Sequence, residues 1–448
     1  MGLKQNTWKI NQWYDQAVAG NVEYNGTAAE RTKLYVWGAN ALGELGQNAQ
    51  GGWSEYLTAQ SSPIQIPGDW SQVVFGPQYA FGINTDNELY AWGQNNTYGQ
   101  LGLNNKTEYS SPVQVPGTTW NQVFNPGYAP SGQFAIRTDG TLWSWGYNYV
   151  GSLGTPAPGV SAYSSPIQIG SDTNWKSGAK NMASACAVKT DGTLWAWGLN
   201  SHGALGQNSV VHQSSPIQIP GTTWSMVSGS YNGFTAIKTD GTLWEWGGTE
   251  AQNVSVPSGK RSSPVQIGSA TDWSTFDNKT GASCGGALKT DGTLWLWGIN
   301  DRGQIGNNFG SNNSRYSSPV QVPGTWTNLG GNSHHNYATK SDGTLWAWGN
   351  NEKGNLGQNS LTDYSSPVQI PGTTWNNIFV SPDGGGSTGA LATKTDGTLW
   401  AWGYQNYGQL GLNQHNVNIS SPTQIPGTNW KDSKASYSFT GWAVTQAI

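Results

Sequence analysis

KTDGTLWAWG, residues 189–198, decides how this chain is read. It returns as KTDGTLWEWG ending at Gly247, KTDGTLWLWG ending at Gly298, KSDGTLWAWG ending at Gly349 and KTDGTLWAWG ending at Gly403. RTDGTLWSWG ends earlier, at Gly146, and a looser NTDNELYAWG ends at Gly93. Asp-Gly between two β-favouring segments signals a short hairpin, because a type I′ turn needs positive φ at both central residues. Alternation along LWAWG puts Trp195 and Trp197 on one face of a strand and Leu194 and Ala196 on the other. One hairpin cannot bury two indoles alone. The repetition supplies its neighbours.

Outward from that stretch, one unit recurs from Lys33 onward. It runs through aromatic-x-Trp-Gly, a polar loop usually holding Leu-Gly, Ser-Ser-Pro, an alternating strand such as VQIPG, a second Trp, and a small-residue strand into the next Asp-Gly turn. Trp-Gly falls at Trp37, Trp92, Trp145, Trp197, Trp246, Trp297, Trp348 and Trp402, spaced by 49 to 55 residues. Ser-Ser-Pro and the trailing Trp each occur eight times as well, from Pro63 and Trp70 to Pro422 and Trp430. A period near 50 residues with four short strands per unit is the signature of a β-propeller blade. The expected fold is therefore all-β, a propeller of four-stranded blades with eight repeats, in one domain spanning residues 33–448.

The two ends of the repeat region are complementary. KLYVWG opens it without the strand that normally precedes it, and FTGWAVTQAI closes it with a strand that stops where the Asp-Gly turn would come. Gly441 to Ala447 is expected to pair with Lys33 to Trp37 and close the ring, with Trp37, Trp442 and Val444 at the closure. Two units break the pattern. The fifth continues from Trp246 as GGTEAQNVSVPSGKR, with no Leu-Gly, whereas the other seven keep Leu-Gly or Ile-Gly. The first lengthens its loop as GQNAQGGWSEYLTAQ and adds Trp53. Specific function is expected where the symmetry fails.

Composition supports this class and removes others. Of 448 residues, 62 are Gly and 26 are Trp, charged residues are 10% and the net charge is −4. Disordered chains are usually highly charged and poor in aromatics, and this chain is neither. No run of Lys and Arg marks a nucleic-acid groove, and no apolar run reaches the roughly 20 residues of a membrane helix. Neither a nucleic acid nor a membrane is an expected partner. Cys186 and Cys284 lie two repeats apart and read as small buried side chains. Residues 1–32 stand outside the repeat as an arm. MGLKQNTWKINQWYDQ has no apolar core, so no signal peptide is expected. Trp8, Trp13 and Tyr14 crowd the arm. They either pack on the protein's own flank or anchor the chain to a partner.

The repeat, in forms such as YAWGQNNTYGQLG at 90–102 and WAWGLNSHGALG at 195–206, resembles that of the regulator of chromosome condensation family. The resemblance covers Lys33 to Ile448. It implies a propeller of four-stranded blades, typically seven, against the eight complete units counted here. The family's functions include guanine-nucleotide exchange on a small GTPase, chromatin binding, light sensing and scaffolding in large ligases. The exchange factor acts through an inserted wedge and a basic face, and neither has a counterpart here. A His seven positions before the turn Asp is frequent in the family, and only His335, before Asp342, fills that slot. The uniform TDGTLWAWG and SSPVQIPGTTW units, with the MGLKQNTWKINQWYDQ leader, also look like propeller proteins of marine bacteriophages. That narrower resemblance implies a virion component, made in the host cytoplasm, such as a capsid decoration, neck or tail-associated protein.

Catalytic chemistry finds no footing in the sequence. Asp86, Asp139, Asp191, Asp240, Asp291, Asp342 and Asp396 all sit at the same turn, where Asp has a structural explanation. His202, His212, His334, His335 and His415 do not give the His-Glu-x-x-His spacing of a zinc hydrolase. DGGGSTG at 383–389 lacks the Lys and helix of a phosphate loop. No catalytic residue, metal or cofactor is expected. The loops QNNTYGQLGLNNKTEY, YNYVGSLGTPAPGVSAY and YQNYGQLGLNQHNVNI join amides to aromatics, a combination that suits sugar hydroxyls. The expected function is thus a non-enzymatic docking propeller that joins other virion proteins through the arm, with Trp8, Trp13, Tyr14 and Trp53 as partner-binding residues. The alternatives are a receptor for host-surface glycans and a cellular exchange factor or signalling scaffold.

Overall fold

In the computed structural model, the described residues are 32–446 apart from 50–58, 77, 96–97, 125–131, 157–159, 231, 249–260, 278–283, 309–313, 381–388 and 436–439. The arm, with Trp8, Trp13 and Tyr14, and the loop residue Trp53 lie outside the described residues. The rest is an all-β propeller of antiparallel strands, arranged in six four-stranded sheets and one seven-stranded sheet. No helix among the described residues is long and apolar enough to cross a membrane.

Each repeat lays down the same sheet, as residues 175–219 illustrate. The first strand, Trp175–Lys180, opens at the trailing Trp, and the second, Ser184–Lys189, runs into the Asp-Gly turn. The third, Leu194–Gly198, carries Trp-x-Trp-Gly, and the fourth, Gln213–Ile219, carries Ser-Ser-Pro. Their order in the sheet is the order in the chain. The fourth strand is an edge, which is where a sheet tolerates Pro216 and where Pro discourages pairing with a foreign strand. First strands touch one another across sheets, Trp175–Lys180 beside Trp224–Gly229 and Asn328–Gly331 beside Trp375–Val380. They line the centre, and the Pro-bearing strands lie outermost.

The turn differs from the type I′ expectation. Gly192 N donates to Lys189 O at 3.0 Å and Lys189 N donates to Thr193 O at 2.9 Å. Of Thr190, Asp191 and Gly192, only Gly192 has positive φ, at 78°. This is a three-residue loop, a type I turn closed by a left-handed glycine. Asp191 shapes it from its side chain: Oδ1 accepts both the backbone N–H and the hydroxyl of Thr193, at 2.9 and 2.7 Å. In the looser second copy, Asn87 takes the left-handed position at φ 61°.

The core lies between sheets rather than within one. Trp197 and Trp175 pack back onto Phe134, Ile136 and Leu142 of the preceding sheet. Leu194 and Ala196, on the opposite face, pack forward onto Trp224, Phe234 and Trp246 of the next. Eight such buried clusters occur among the described residues. One of them joins Trp37 and Trp430 to Leu391, Leu399 and Ala401, which are separated from Trp37 by most of the sequence.

Eight separate sheets were expected, and seven are observed. The strand Gln60–Phe75 is continuous and takes part in two ladders. Its first part pairs with Thr32–Gly38, and Trp70 to Phe75 pair with Tyr79–Asn84. The cause is the missing Asp-Gly turn before Lys33. Other third strands begin at the leucine after the turn, whereas Lys33 is already extended and pairs with Asp69, carrying the ladder across the connection. On its other side Thr32–Gly38 pairs with Thr440–Gln446, in a register that sets Trp37 against Gly441, Val36 against Trp442 and Leu34 against Val444.

Candidate functional site

The strands deliver two unlike ends. At the turn end, the Lys or Arg before the Asp-Gly turn lies between two indoles. Lys394 Nζ sits 4.5 Å from the Trp375 ring and 4.4 Å from the Trp400 ring. Arg137, Lys189, Lys238, Lys289 and Lys340 repeat the arrangement with their own pairs. The outer indole is fixed in turn: Trp400 Nε1 donates to Thr398 Oγ1 at 2.8 Å, and that hydroxyl donates to Asp396 at 2.7 Å. These hydrogen bonds hold the Asp396 carboxyl below the usual carboxylate range, helped by the Lys394 charge. Sequence reasoning accounted for the Asp and missed the cation. The signal was present, because Lys or Arg stands two residues before the Asp in every copy that has Trp at both flanking positions.

At the other end, the loops after Trp-Gly lock each sheet to the next. Asn351 opens one such loop: its Oδ1 accepts Leu356 N at 2.8 Å, and its Nδ2 donates to Ser360 O and Thr362 O. The carbonyl before Leu-Gly accepts the next sheet's indole, Asn355 O from Trp402 Nε1 at 2.8 Å. Gly357, at φ 65°, lies so close that a Cβ there would come within 3.2 Å of that Nε1. Asn359 N then reaches Ser420 O at 2.7 Å. The same bonds cross from the last repeat to the first, with Trp37 Nε1 on Gln409 O at 2.9 Å and Asn413 N on Ser61 O at 2.6 Å. Asn40, Asn95, Asn200, Asn300, Asn351 and Gln405 are all buried. The amides that suggested sugar hydroxyls are therefore largely used inside their own loops.

These loops also expose apolar residues. Nine large hydrophobic residues are exposed among the described residues, and seven of them, Tyr149, Val150, Val160, Val210, Val211, Leu361 and Val417, belong to these loops. Tyr149 joins an aromatic ladder that bridges two sheets. Tyr98 lies 4.0 Å from Tyr147, centroid to centroid, and Tyr147 lies 5.9 Å from Tyr149. Val150 sits at φ 45° and ψ 41°, a left-handed conformation that a β-branched residue rarely adopts. Strain of this kind collects at functional sites.

Titratable groups elsewhere are interior. His335 is fully buried, and burial, with the neighbouring His334, pushes its pKa down to about 3. Its Nε2 lies 3.2 Å from Asn332 Nδ2, inside a buried polar cluster. Lys180 donates to Gly132 O at 2.8 Å and burial lowers its pKa to about 7. Burial pushes the Cys284 thiol up to about 12. No group of three or more His, Cys, Asp or Glu side chains able to hold a metal ion occurs among the described residues. Of the residues singled out from sequence, Trp37 is buried in a sheet-to-sheet cluster, Trp442 and Val444 lie mid-strand in the ladder beside it, and the four anchor candidates lie outside the described residues.

Comparison with known proteins agrees with this architecture. The regulator of chromosome condensation (RCC1) repeat matches at residues 86–124, 191–237, 342–383 and 396–445. A second form of the same repeat matches residues 70–100. The RCC1 domain-containing protein RUG3, mitochondrial, of Arabidopsis thaliana is 26% identical over 85% of this chain and 79% of its own length. The E3 ubiquitin-protein ligase HERC2 of Mus musculus is 24% identical over 90% of this chain, which spans only 7% of that protein. Among solved structures, Prp20p of Saccharomyces cerevisiae, studied for its binding to Gsp1p and histones, superposes over 94% of this chain and 93% of its own with a TM-score of 0.61 at 14% identity. Human WBSCR16 gives 0.60 at 15% identity, covering 94% of this chain and all of its own. The chain is an all-β propeller, and repeats similar to those of the RCC1 family lie at the matched residues.

Proposed function

We propose that this chain is a non-enzymatic docking module, an eight-bladed ring whose loop end takes a partner protein. The observation that carries the docking reading is the set of exposed apolar residues Tyr149, Val150, Val160, Val210 and Val211, on loops whose amides are largely used internally, with Tyr149 stacked on the half-buried Tyr147. Aromatic anchors set among near-neutral contacts are the usual anatomy of a protein interface. The eight-blade count is supported by the eight inter-sheet clusters and by the indole and Asn bonds that run from the last repeat to the first as they do at five other seams. On this reading the seven-stranded sheet is two blades fused through Gln60–Phe75.

The partner we favour is another protein of a bacteriophage particle, reached through the arm as well as through the loops. Thr32 opens its strand at the turn end, so the arm joins the ring on the side opposite the Tyr149 loops, and one propeller can join two partners. The cellular reading, a regulator or scaffold of the kind found among RCC1-repeat proteins, is supported by the RUG3 and HERC2 similarities. A sedimentation profile of the native lysate, with the chain followed by mass spectrometry, separates them. Co-migration with megadalton particles is expected. Migration near 47.9 kDa overturns the virion reading and leaves the cellular one. A projection of the purified ring by electron microscopy tests the blade count, with eight-fold modulation expected and seven-fold overturning it.

A further inference from the structure

The turn end carries the same chemical hazard in six copies. Aspartate followed by glycine converts readily to isoaspartate, because glycine has no side chain to hinder attack by its own nitrogen. The Gly nitrogen gives up its proton and bonds to the Asp Cγ, and the carboxyl hydroxyl leaves with that proton as water. Water then reopens the succinimide ring. Opening at the old main-chain carbonyl routes the chain through Cγ, which is isoaspartate. One water is lost and one regained, so no oxidant, reductant or cofactor is needed. Six of the chain's seven Asp-Gly pairs sit at equivalent turns, at Asp139, Asp191, Asp240, Asp291, Asp342 and Asp396, and all six aspartates are exposed. The seventh, Asp383-Gly384, lies outside the described residues.

At each of the six turns both reacting groups are engaged elsewhere. The glycine donates its N–H to the carbonyl of the Lys or Arg three residues back, at 2.9 to 3.0 Å. The aspartate Oδ1 accepts from the threonine two residues on, from its backbone N–H at 2.8 to 3.0 Å and its hydroxyl at 2.6 to 2.7 Å. An indole holds that hydroxyl in turn, as Trp195 Nε1 does at Thr193 Oγ1 at 3.0 Å. The threonine bonds favour the ionised carboxyl and keep all six below the usual carboxylate range. An ionised carboxyl has no hydroxyl to lose. The turn at Asp86 differs at both places. Asn87 stands where the glycine would, and its side chain hinders ring closure. Glu88 stands where the threonine would, and its N–H goes to Asn84 Oδ1 at 2.8 Å. Glycine and threonine are thus present together in six turns and absent together in this one.

We propose that the threonine after each Asp-Gly pair guards the turn against isoaspartate formation, and that Asp191 and its five equivalents become self-modifying sites when that hydroxyl is removed. Rerouting the chain through Cγ adds a backbone atom to a three-residue loop whose ends are joined by Lys189 N on Thr193 O. Modification would therefore loosen the hairpin that presents the Trp-x-Trp-Gly strand. The guard needs no partner and no loop-end residue, so it stands or falls independently of the docking reading.

The test ages the full chain in warm neutral buffer. Isoaspartate is then located by digestion and by mass spectrometry with fragmentation that separates the two isomers. Thr193→Val removes the hydroxyl and keeps the branched shape, whereas Thr193→Ser keeps the hydroxyl. Asp191 is expected to convert several-fold faster in Thr193→Val than in the unaltered chain, and Thr193→Ser to stay at the unaltered rate. The other five turns of the same molecule should not change. Asp191 ageing no faster in Thr193→Val overturns the proposal, and so does a serine variant that ages as fast as the valine one. A rise shared equally by all six turns would also overturn it, since that would mark loss of the fold rather than of one guard. If Thr193→Val does not fold, Thr398→Val and Thr398→Ser put the same question to Asp396 in another sheet.

Discussion

The turn end and the loop end of this propeller are made by the same strands, yet they vary differently. At the turn end, Lys-Thr-Asp-Gly-Thr-Leu-Trp returns almost unchanged, and in six copies a cation lies between two indoles. At the loop end, the frame of Asn, Leu and Gly is kept while the intervening residues change: Tyr149-Val150, Ser201-His202, Asp301-Arg302, Glu352-Lys353. The kept residues are buried and bonded within the ring. The changed ones face outward, and in two repeats they pair with each other, Arg302 with Glu352 at 2.7 Å. Uniformity here marks stability, and variation under a fixed frame is where the proposed recognition falls.

The sharpest way to break that division is to remove a uniform element. Thr440–Gln446 lies between two other strands, Trp430–Ala435 and Thr32–Gly38, and hydrogen-bonds to both. Deleting residues 440–448 should cost more than about 4 kcal/mol, read as a sharp fall in Tm, since it opens two ladders. An unchanged melt would mean that the ends do not hold the ring together. Next comes Trp348→Ala. It empties a fully buried site and leaves Gln304 O without its indole donor, so a loss of about 3–5 kcal/mol by denaturant titration is expected.

Acid should find the loop end before the turn end. His335 is neutral in the fold because its pKa is lowered to about 3, while the unfolded chain protonates it near the ordinary value of about 6.5. Between those values the unfolded state binds more protons, so stability rises with pH. Stability should be complete above about pH 6.5 and should decline as pH falls toward 3. The turn aspartates, Asp191 and Asp396 among them, also have lowered pKa values and lose their contribution only as pH falls through those lower values. His335→Asn should flatten the upper part of the acid limb in a pH series of melting curves. A limb that keeps its shape would assign it to the carboxylates instead.

Much of this fold was legible because each repeat states its own contacts. The trailing Trp, the Trp-x-Trp-Gly strand and the Leu-Gly turn are spaced so that every sheet buries its neighbour, and eight copies average out local ambiguity. The turn type was misread because Asp-Gly alone does not distinguish a two-residue loop from a three-residue one. The Asp191 side chain and the Thr193 it binds decide that. The fusion of two sheets through Gln60–Phe75 was not legible, since it arises from a turn that is absent rather than from a residue that is present. The loop amides were legible as chemistry but not as direction. Asn95 and Asn200 point inward to their own loops, a fact that composition does not encode. The tyrosine ladder joins residues from two repeats, and a single repeat's sequence cannot place Tyr98 against Tyr147.

Smaller effects separate the two ends most cleanly. Lys394→Ala removes a cation held between two indoles and should cost about 1 kcal/mol, with Lys394→Met recovering the part due to packing alone. Full recovery in the Met variant would mean that the charge contributes nothing there.

Tyr149→Ala at the loop end should change stability by less than about 0.5 kcal/mol. Tyr149 is 45% exposed and caps a ladder rather than filling a core. The same variant should release the chain from whatever particle or complex carries it, seen as a shift toward the free fraction in sedimentation. The pairing of those two readouts matters more than either alone. A residue that only packs would lose stability in proportion to the contacts removed, and its effect on assembly would follow from unfolding. A residue that recognises a partner should do the opposite, leaving the melt intact while assembly fails. If Tyr149→Ala destabilises the ring by as much as Lys394→Ala, the aromatic ladder belongs with the uniform frame, and the recognising surface must be sought elsewhere on the loops.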